Sequence, residues 1–333
     1  MALPSVAALA RAPGVRLTVL APPYVHPVYE GLDGVTLSPV DPRARRALQA
    51  WEVGRAIAGS QDVGIVCPAS FSSALVLRLA GVPRRVGRAT DGRSALLTDV
   101  LPRRQAPPFP LRVPAHYDPR YHRSRDYAEL VEHVLGCPVP ELYPLHVPHA
   151  AERAAARLLE EAGGRGPFVA LNPGANGPAR RWPAQRFVAL GSALREAVDA
   201  RVVVLGGARE GDLPARVAAG VTGAASLAGR TTVKSLMAVL RRVDLMVTND
   251  TGPMHLAAAL GTPLLDLCGA ADERVTAPRG ARSRVLRELL FCSPCVRNEC
   301  PFDLECMHAL TVAGVLGASL ETLRLGRGGV NGA

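Results

Sequence analysis

The chain has 333 residues, enough for two domains of ordinary size, each with its own core. Hydrophobic residues make up 48% and charged residues 20%, which excludes a disordered chain, and no apolar run reaches the roughly 18 residues of a membrane helix. The net charge of +10 is carried almost wholly by arginine, Lys234 being the only lysine.

Met1 to Arg16 has no charged segment ahead of an apolar run, so it does not read as a secretory leader, and the expected compartment is the cytoplasm. Ser5–Arg11 reads as a helix and Val15–Leu20 as a buried strand, followed by a turn at Pro22 and Pro23. Arg43–Ile57 is the next helix, Asp62–Val66 a strand, and Phe71–Ala80 a helix stopped by Gly81 and Pro83. Arg85–Gly87 starts a short strand, Leu101–Pro119 is a Pro- and Arg-rich loop, and Tyr127–Leu135 is a helix ended by Gly136. Between Arg78 and Arg125, eleven arginines face only Asp91, Asp99 and Asp118. Such a stretch is either a solvated basic face or a surface for phosphates, of nucleic acid or of an anionic membrane.

Gly136–Pro148 carries several prolines and reads as a linker between domains 1–148 and 149–333. A second alternating series follows: helix Ala150–Ala162, strand Phe168–Asn172, helix Ala184–Ala197, strand Arg201–Leu205 and helix Leu213–Ala219. Helix Val233–Arg241, strand Leu245–Thr248, helix Met254–Leu260 and strand Leu264–Cys268 complete it. Continuous β-branched runs between helices predict parallel sheets covered on both faces. The expected class is α/β: two Rossmann-like, doubly wound domains facing a cleft.

Two segments carry the chemistry. Asn172-Pro-Gly-Ala-Asn-Gly-Pro-Ala-Arg-Arg-Trp-Pro183 leaves a strand and enters a helix. Gly174 and Gly177 let backbone approach a ligand, and Arg180 and Arg181 add charge; a phosphate cradle and a plain βα turn both fit. Val247-Thr-Asn-Asp-Thr-Gly-Pro-Met-His-Leu-Ala-Ala-Ala-Leu-Gly-Thr-Pro263 ends a second strand. There Asp250 either meets sugar hydroxyls or caps a helix, Thr251 and Gly252 offer N–H groups at a helix N-terminus, and His255 follows in the first turn. Four of the seven cysteines fall in Cys292-x2-Cys295-x4-Cys300-x5-Cys306. That spacing admits a structural zinc, reduced structural thiols or partial disulfides, so the metal ligands stay open. Cys67, Cys137 and Cys268 read as small buried hydrophobes.

The motifs PGANGPARRWP and TNDTGPMHLAAALGTP resemble those of glycosyltransferase family 9, the ADP-heptose:lipopolysaccharide heptosyltransferases. Ser70–Gly87, Gly206-Gly-Ala-Arg-Glu210, Leu227-Ala-Gly-Arg-Thr-Thr232 and the cysteine segment also resemble it, so the likeness runs nearly end to end. The resemblance implies a GT-B fold with an N-terminal acceptor domain and a C-terminal donor domain. It implies inverting transfer of heptose from ADP-heptose to an anionic glycolipid, with no cofactor required and peripheral contact with the inner membrane. By position it puts Ala175 and Asn176 at the phosphates, beside Gly174, and Arg180, the catalytic candidate, by the diphosphate and sugar. Glu210 goes to the ribose, Thr231 to the base, Asp250 to the sugar, and Thr251, Gly252 and His255 to the diphosphate. Arginine at 180 stands where the family has lysine.

The family opens with a strand and a Gly-Asp loop whose aspartate is the general base. Met1 aligns just after that loop, so the expectation is that the gene begins upstream. The alternative is a catalytically defective homologue that binds a nucleotide sugar. A zinc-dependent nucleic-acid binder explains neither motif and lacks aromatic platforms, so no nucleic-acid partner is expected.

Overall fold

A computed structural model describes residues 1–41, 46–104, 119–207 and 210–328. The front of the helix expected from Arg43, most of the loop from Leu101 to Pro119, and Ala208 and Arg209 of the Gly206–Glu210 segment lie outside the described residues. The chain divides into two units between Tyr143 and Pro144, slightly ahead of the boundary expected at 148.

In the first unit α1 (Leu3–Arg11) precedes β1 (Leu17–Ala21) and β2 (Val35–Pro39). Then come α2 (Arg46–Ala56), β3 (Val63–Val66), α3 (Phe71–Leu79), β4 (Arg84–Arg88), β5 (Asp99–Leu101) and α4 (Arg123–Leu135). The five described strands form two separate parallel sheets, β1-β2 and β3-β4-β5. Among the described residues, β1 and β3 therefore each keep one unpaired edge. The apolar core is modest. Ala74 and Leu77 of α3 pack with Val66 of β3 and with Leu97, while Ala8 and Leu9 of α1 meet Ala128 and Val131 of α4.

Polar contacts do much of the holding in this unit. Arg88, 6% exposed, pairs with Glu129 and lies 3.3 Å from Asp126. Arg104 reaches Glu129 at 2.6 Å, Arg125 pairs with Glu132, and Arg84 bonds Asp99 at 2.7 Å. Arg93, 1% exposed, donates to the carbonyls of Pro68, Ser70 and Arg88. Part of the basic stretch is thus paired within the unit, while Arg78, Arg103 and Arg120 are exposed. Counting charges only as far as Arg125 left out Asp126, Glu129 and Glu132, which follow on the same helix and pair with these arginines.

The second unit is one six-stranded, all-parallel sheet in the order β11-β10-β9-β6-β7-β8. Its strands are β6 (Phe168–Asn172), β7 (Arg201–Val204), β8 (Ala225–Ser226), β9 (Leu245–Asn249), β10 (Leu264–Leu267) and β11 (Ser283–Leu286). Its helices are α5 (His149–Glu160), α6 (Ala184–Val198), α7 (Leu213–Ala219), α8 (Val233–Arg242), α9 (Gly252–Ala259), α10 (Glu273–Thr276), α11 (Glu305–Ala309) and α12 (Val312–Gly328).

β9 and β10 are buried throughout and mostly apolar, as expected of strands covered on both faces, with Thr248, Asn249 and Asp266 the polar exceptions. Alternate side chains feed two cores. Leu171, Val247 and Leu265 pack under α6, α7 and α12, while Ala170, Met246 and Leu264 pack under α5, α8 and α9. Thr232 caps α8 by a reciprocal exchange with Ser235: the Ser235 N–H donates to the Thr232 hydroxyl and the Ser235 hydroxyl accepts from the Thr232 N–H.

The sequence reading left out β2, β5, β8, β11, α10, α11 and α12. The four strands are short or half-exposed and lack a continuous apolar run. In α12, Gly314 and Gly317 weaken the helical signal.

Candidate active site

The order of the second sheet locates the site. From β6 the chain steps to β7 and β8 on one side, then crosses to β9, β10 and β11 on the other. β6 and β9 are hydrogen-bonded neighbours whose following loops diverge, and ligands of open parallel sheets bind at the carboxyl ends of such a pair. The two motifs of the sequence leave these two strands.

Buried asparagines lock the two turns together. The Asn172 amide, at the end of β6, donates to the hydroxyls of Thr248 (2.9 Å) and Thr251 (3.0 Å). Asn249, at the end of β9 and 0% exposed, donates to the Pro173 carbonyl at 2.8 Å and accepts the Trp182 N–H at 3.0 Å. Trp182 is itself buried, with its indole N–H on the Leu310 carbonyl at 2.8 Å and its ring edge-on to Phe187. Neither asparagine was singled out in the sequence, although each is a polar residue closing an apolar strand, which is a signal worth reading.

The two arginines separate in role. Arg181 turns back and donates to the Ala175 carbonyl through Nε (3.1 Å) and Nη2 (2.9 Å). Arg180 instead points at Asp250, Nη1 to Oδ2 3.8 Å, and its buried Nε has no hydrogen-bond partner. Asp250 is 7% exposed and accepts the Thr276 hydroxyl at 3.2 Å, so it does not serve as a helix cap; Thr251 occupies the N-cap position of α9. Burial pushes the Asp250 carboxyl up from its ordinary value, and Arg180 and Thr276 oppose that.

Glu210 joins the same end of the sheet. It accepts the Gly207 N–H at 2.8 Å, and its carboxylate lies over Gly174, where an added Cβ would fall 1.6 Å from Oε1. A side chain at 174 would displace the Glu210 carboxylate from this position. Ala175 is buried and Asn176 exposed on the same turn. Gly252 is exposed at the start of α9, with His255 one turn in and half-buried. Thr231 lies half-buried just before α8. The structure thus draws Gly174, Arg180, Glu210, Asp250 and Thr251 into two linked turns, with Ala175, Asn176, Gly252 and His255 on the same segments.

A third acid lies behind them. Asp266 of β10 is 1% exposed, its Oδ1 has no partner, and its backbone is paired with Thr248. Burial holds it well above the ordinary aspartate range, reinforced by the charges of Asp250 and Glu273.

The model of glycosyltransferase family 9 (heptosyltransferase) matches residues 50–305. Lipopolysaccharide heptosyltransferase 2 of Escherichia coli K12 is 29% identical over 289 residues, 84% of this chain and 81% of that protein. Lipooligosaccharide heptosyltransferase 2 of Haemophilus ducreyi is 25% identical over 83% of this chain and 80% of its own. Among solved structures, E. coli ADP-heptose LPS heptosyltransferase II superposes with a TM-score of 0.73 at 25% identity, covering 97% of this chain and 95% of its own. A family 9 glycosyltransferase of Veillonella parvula superposes at 0.75 with 18% identity, covering 96% and 93%, a likeness of fold. The resemblance read from the two motifs and the GT-B class expected from it are borne out. The chain belongs to glycosyltransferase family 9 and is a glycosyltransferase.

Proposed function

We propose that the chain transfers a heptose from ADP-heptose to the core of lipopolysaccharide or a similar anionic glycan, with inversion and without a metal cofactor. The observation that carries this is the meeting of the two motif turns at the ends of β6 and β9, with Arg180 turned to Asp250. In such a reaction the acceptor hydroxyl gives its proton to a base as its oxygen bonds the anomeric carbon, the bond to the ADP oxygen breaks, and negative charge builds on the diphosphate. Arg180 and the N–H groups of Thr251 and Gly252 at the start of α9 are placed to take that charge. Asp250 receives sugar hydroxyls, Glu210 the ribose, and Thr231 the base; Gly174, Ala175 and Asn176 give the diphosphate close backbone approach, and His255 flanks it.

The arginines of 78–125 that are exposed, Arg78, Arg103 and Arg120 among them, face the anionic acceptor or the cytoplasmic face of a membrane. None of the described helices is long and apolar enough to cross one. The reading is tested by incubating the protein with ADP-heptose and a heptose-bearing lipid A core and weighing the product. A mass gain of one heptose supports it. ADP-heptose binding without any product from several core acceptors overturns transfer and leaves a donor-binding homologue.

A further inference from the structure

The proposed function leaves the cysteine segment unused. Residues 287–304, between β11 and α11, contain no helix or strand. The segment buries little: Phe291 is 67% exposed, Val296 59% and Phe302 43%. Yet it holds costly backbone. Val296, Asp303 and Leu304 have φ of 54°, 52° and 59°, and they are three of the five described non-glycine residues with positive φ. For a branched side chain such as Val296 that conformation is rare and persists only where the surroundings enforce it. The contact between the Phe291 and Phe302 rings, with centroids 5.1 Å apart, is too small and too wet to do so.

The segment borders a cavity of about 240 Å³ that Phe302 lines and that Val296 and Asp303 adjoin in sequence. Cys292, Cys295, Cys300 and Cys306 all line it, and all four are free thiols. Cys306 fixes one side, because it stands on α11 and is buried in the core beneath the sheet. Cys300 carries the most specific sign. Its Sγ accepts two backbone N–H groups, from Phe302 and from Leu304, each at 3.4 Å. Two amides aimed at one sulfur stabilise a thiolate, and such hydrogen bonds accompany cysteine sulfurs that ligate a metal.

The geometry points to a structural metal centre in which Cys292, Cys295, Cys300 and Cys306 bind one thiophilic divalent ion. Four thiolates suit zinc or a single iron in tetrahedral coordination and do not suit a hard ion such as magnesium or calcium. Among the described residues the thiols ring the cavity without converging to ligand distance. Metal–sulfur bonds of about 2.3 Å would draw them inward, and a segment without helix or strand can make that movement.

The same segment braces the first motif. The Asn298 carbonyl accepts the Ala179 N–H at 2.9 Å, directly before Arg180. A Cβ on Gly177 would lie 3.0 Å from the Asn298 Cα, so glycine lets the two strands of chain touch. The Val296 N–H donates to the Ala270 carbonyl at 2.8 Å, and Ala179 and Ala270 both line the cavity. An ion there would fix the turn that presents Arg180 without itself meeting substrate.

The test uses the full chain, reduced, chelated and titrated with Co2+ and then Zn2+. One equivalent of Co2+ should give intense thiolate-to-cobalt charge-transfer absorption, and one equivalent of Zn2+ should abolish it. Cys300→Ser should weaken Co2+ binding at least about tenfold. Amide exchange at Ala179 should rise when the wild-type protein is chelated and fall again with Zn2+. Absent thiolate absorption, absorption unchanged in Cys300→Ser, or disulfides among the four cysteines in the purified protein would overturn the centre. Exchange at Ala179 indifferent to Zn2+ would overturn the bracing. The metal readouts do not depend on the donor, so they fail or hold separately from the proposed transfer.

Discussion

The two units are built from similar pieces and held together differently. The second has a single continuous sheet with an apolar core on each face, and its polar residues collect where β6 and β9 end. The first has its described strands in two sheets, small apolar clusters, and a network of arginines on Asp126, Glu129 and Glu132. Burial of apolar surface contributes about 25 cal/mol per Å² and is not screened by salt, whereas ion pairs depend on geometry and on both partners remaining. The difference teaches that net charge alone locates no binding surface. In the first unit several buried or half-buried arginines are paired within the fold, while in the second Arg180 keeps a buried Nε without a hydrogen-bond partner.

That contrast can be broken by mutation. The largest effect should come from Trp182→Ala, which removes a fully buried ring and its bond to Leu310; it should cost about 3–5 kcal/mol in urea unfolding of the second unit. Arg88→Leu in the first unit removes the buried partner shared by Asp126 and Glu129, leaving Glu129 to Arg104, and should cost about 2 kcal/mol. A loss below about 1 kcal/mol would mean that apolar packing holds this unit as well. Asn249→Ala should cost about 1–3 kcal/mol by leaving the Trp182 N–H and the Pro173 carbonyl unpaired in the interior.

The smallest effect is one of slope. Asp266 is raised in the folded state, so its unfolded form ionises first as pH rises above the ordinary 3.8. Stability is full below that value and declines as pH climbs toward the raised folded value, and Asp250 and Glu273 act in the same direction. Asp266→Asn should flatten the fall in melting temperature with rising pH across the mildly acidic range. A slope equal to wild type would remove Asp266 from the account.

Much of the second unit was legible because its signals are local. Phe168–Asn172 and Leu213–Ala219 could be bounded from apolar runs and their stops, and the two motif turns follow directly from strands. The roles of Asn172 and Asn249 were not legible, because an asparagine after an apolar strand looks like a turn residue until its partners from the other turn are known. The split between Arg180 and Arg181 was equally hidden, since adjacent identical residues differ only in the direction the backbone gives them. In the first unit the pairing of Arg88 was hidden for a related reason. Charge was counted along the chain, whereas Arg88 finds Glu129 across the fold from β4 to α4.

The central claim is that the nucleotide sugar binds where the β6 and β9 turns meet. Isothermal titration of ADP-heptose into wild type, Asp250→Ala, Arg180→Ala and, as a control in the first unit, Arg84→Ala tests it most directly. Loss of one charge-assisted contact is worth about 1.5–3 kcal/mol, so Asp250→Ala and Arg180→Ala should each weaken binding by about ten- to a hundredfold. Arg84→Ala, which breaks only a half-exposed pair with Asp99, should bind as wild type does. Wild-type affinity in folded Asp250→Ala and Arg180→Ala would contradict the placement of the site.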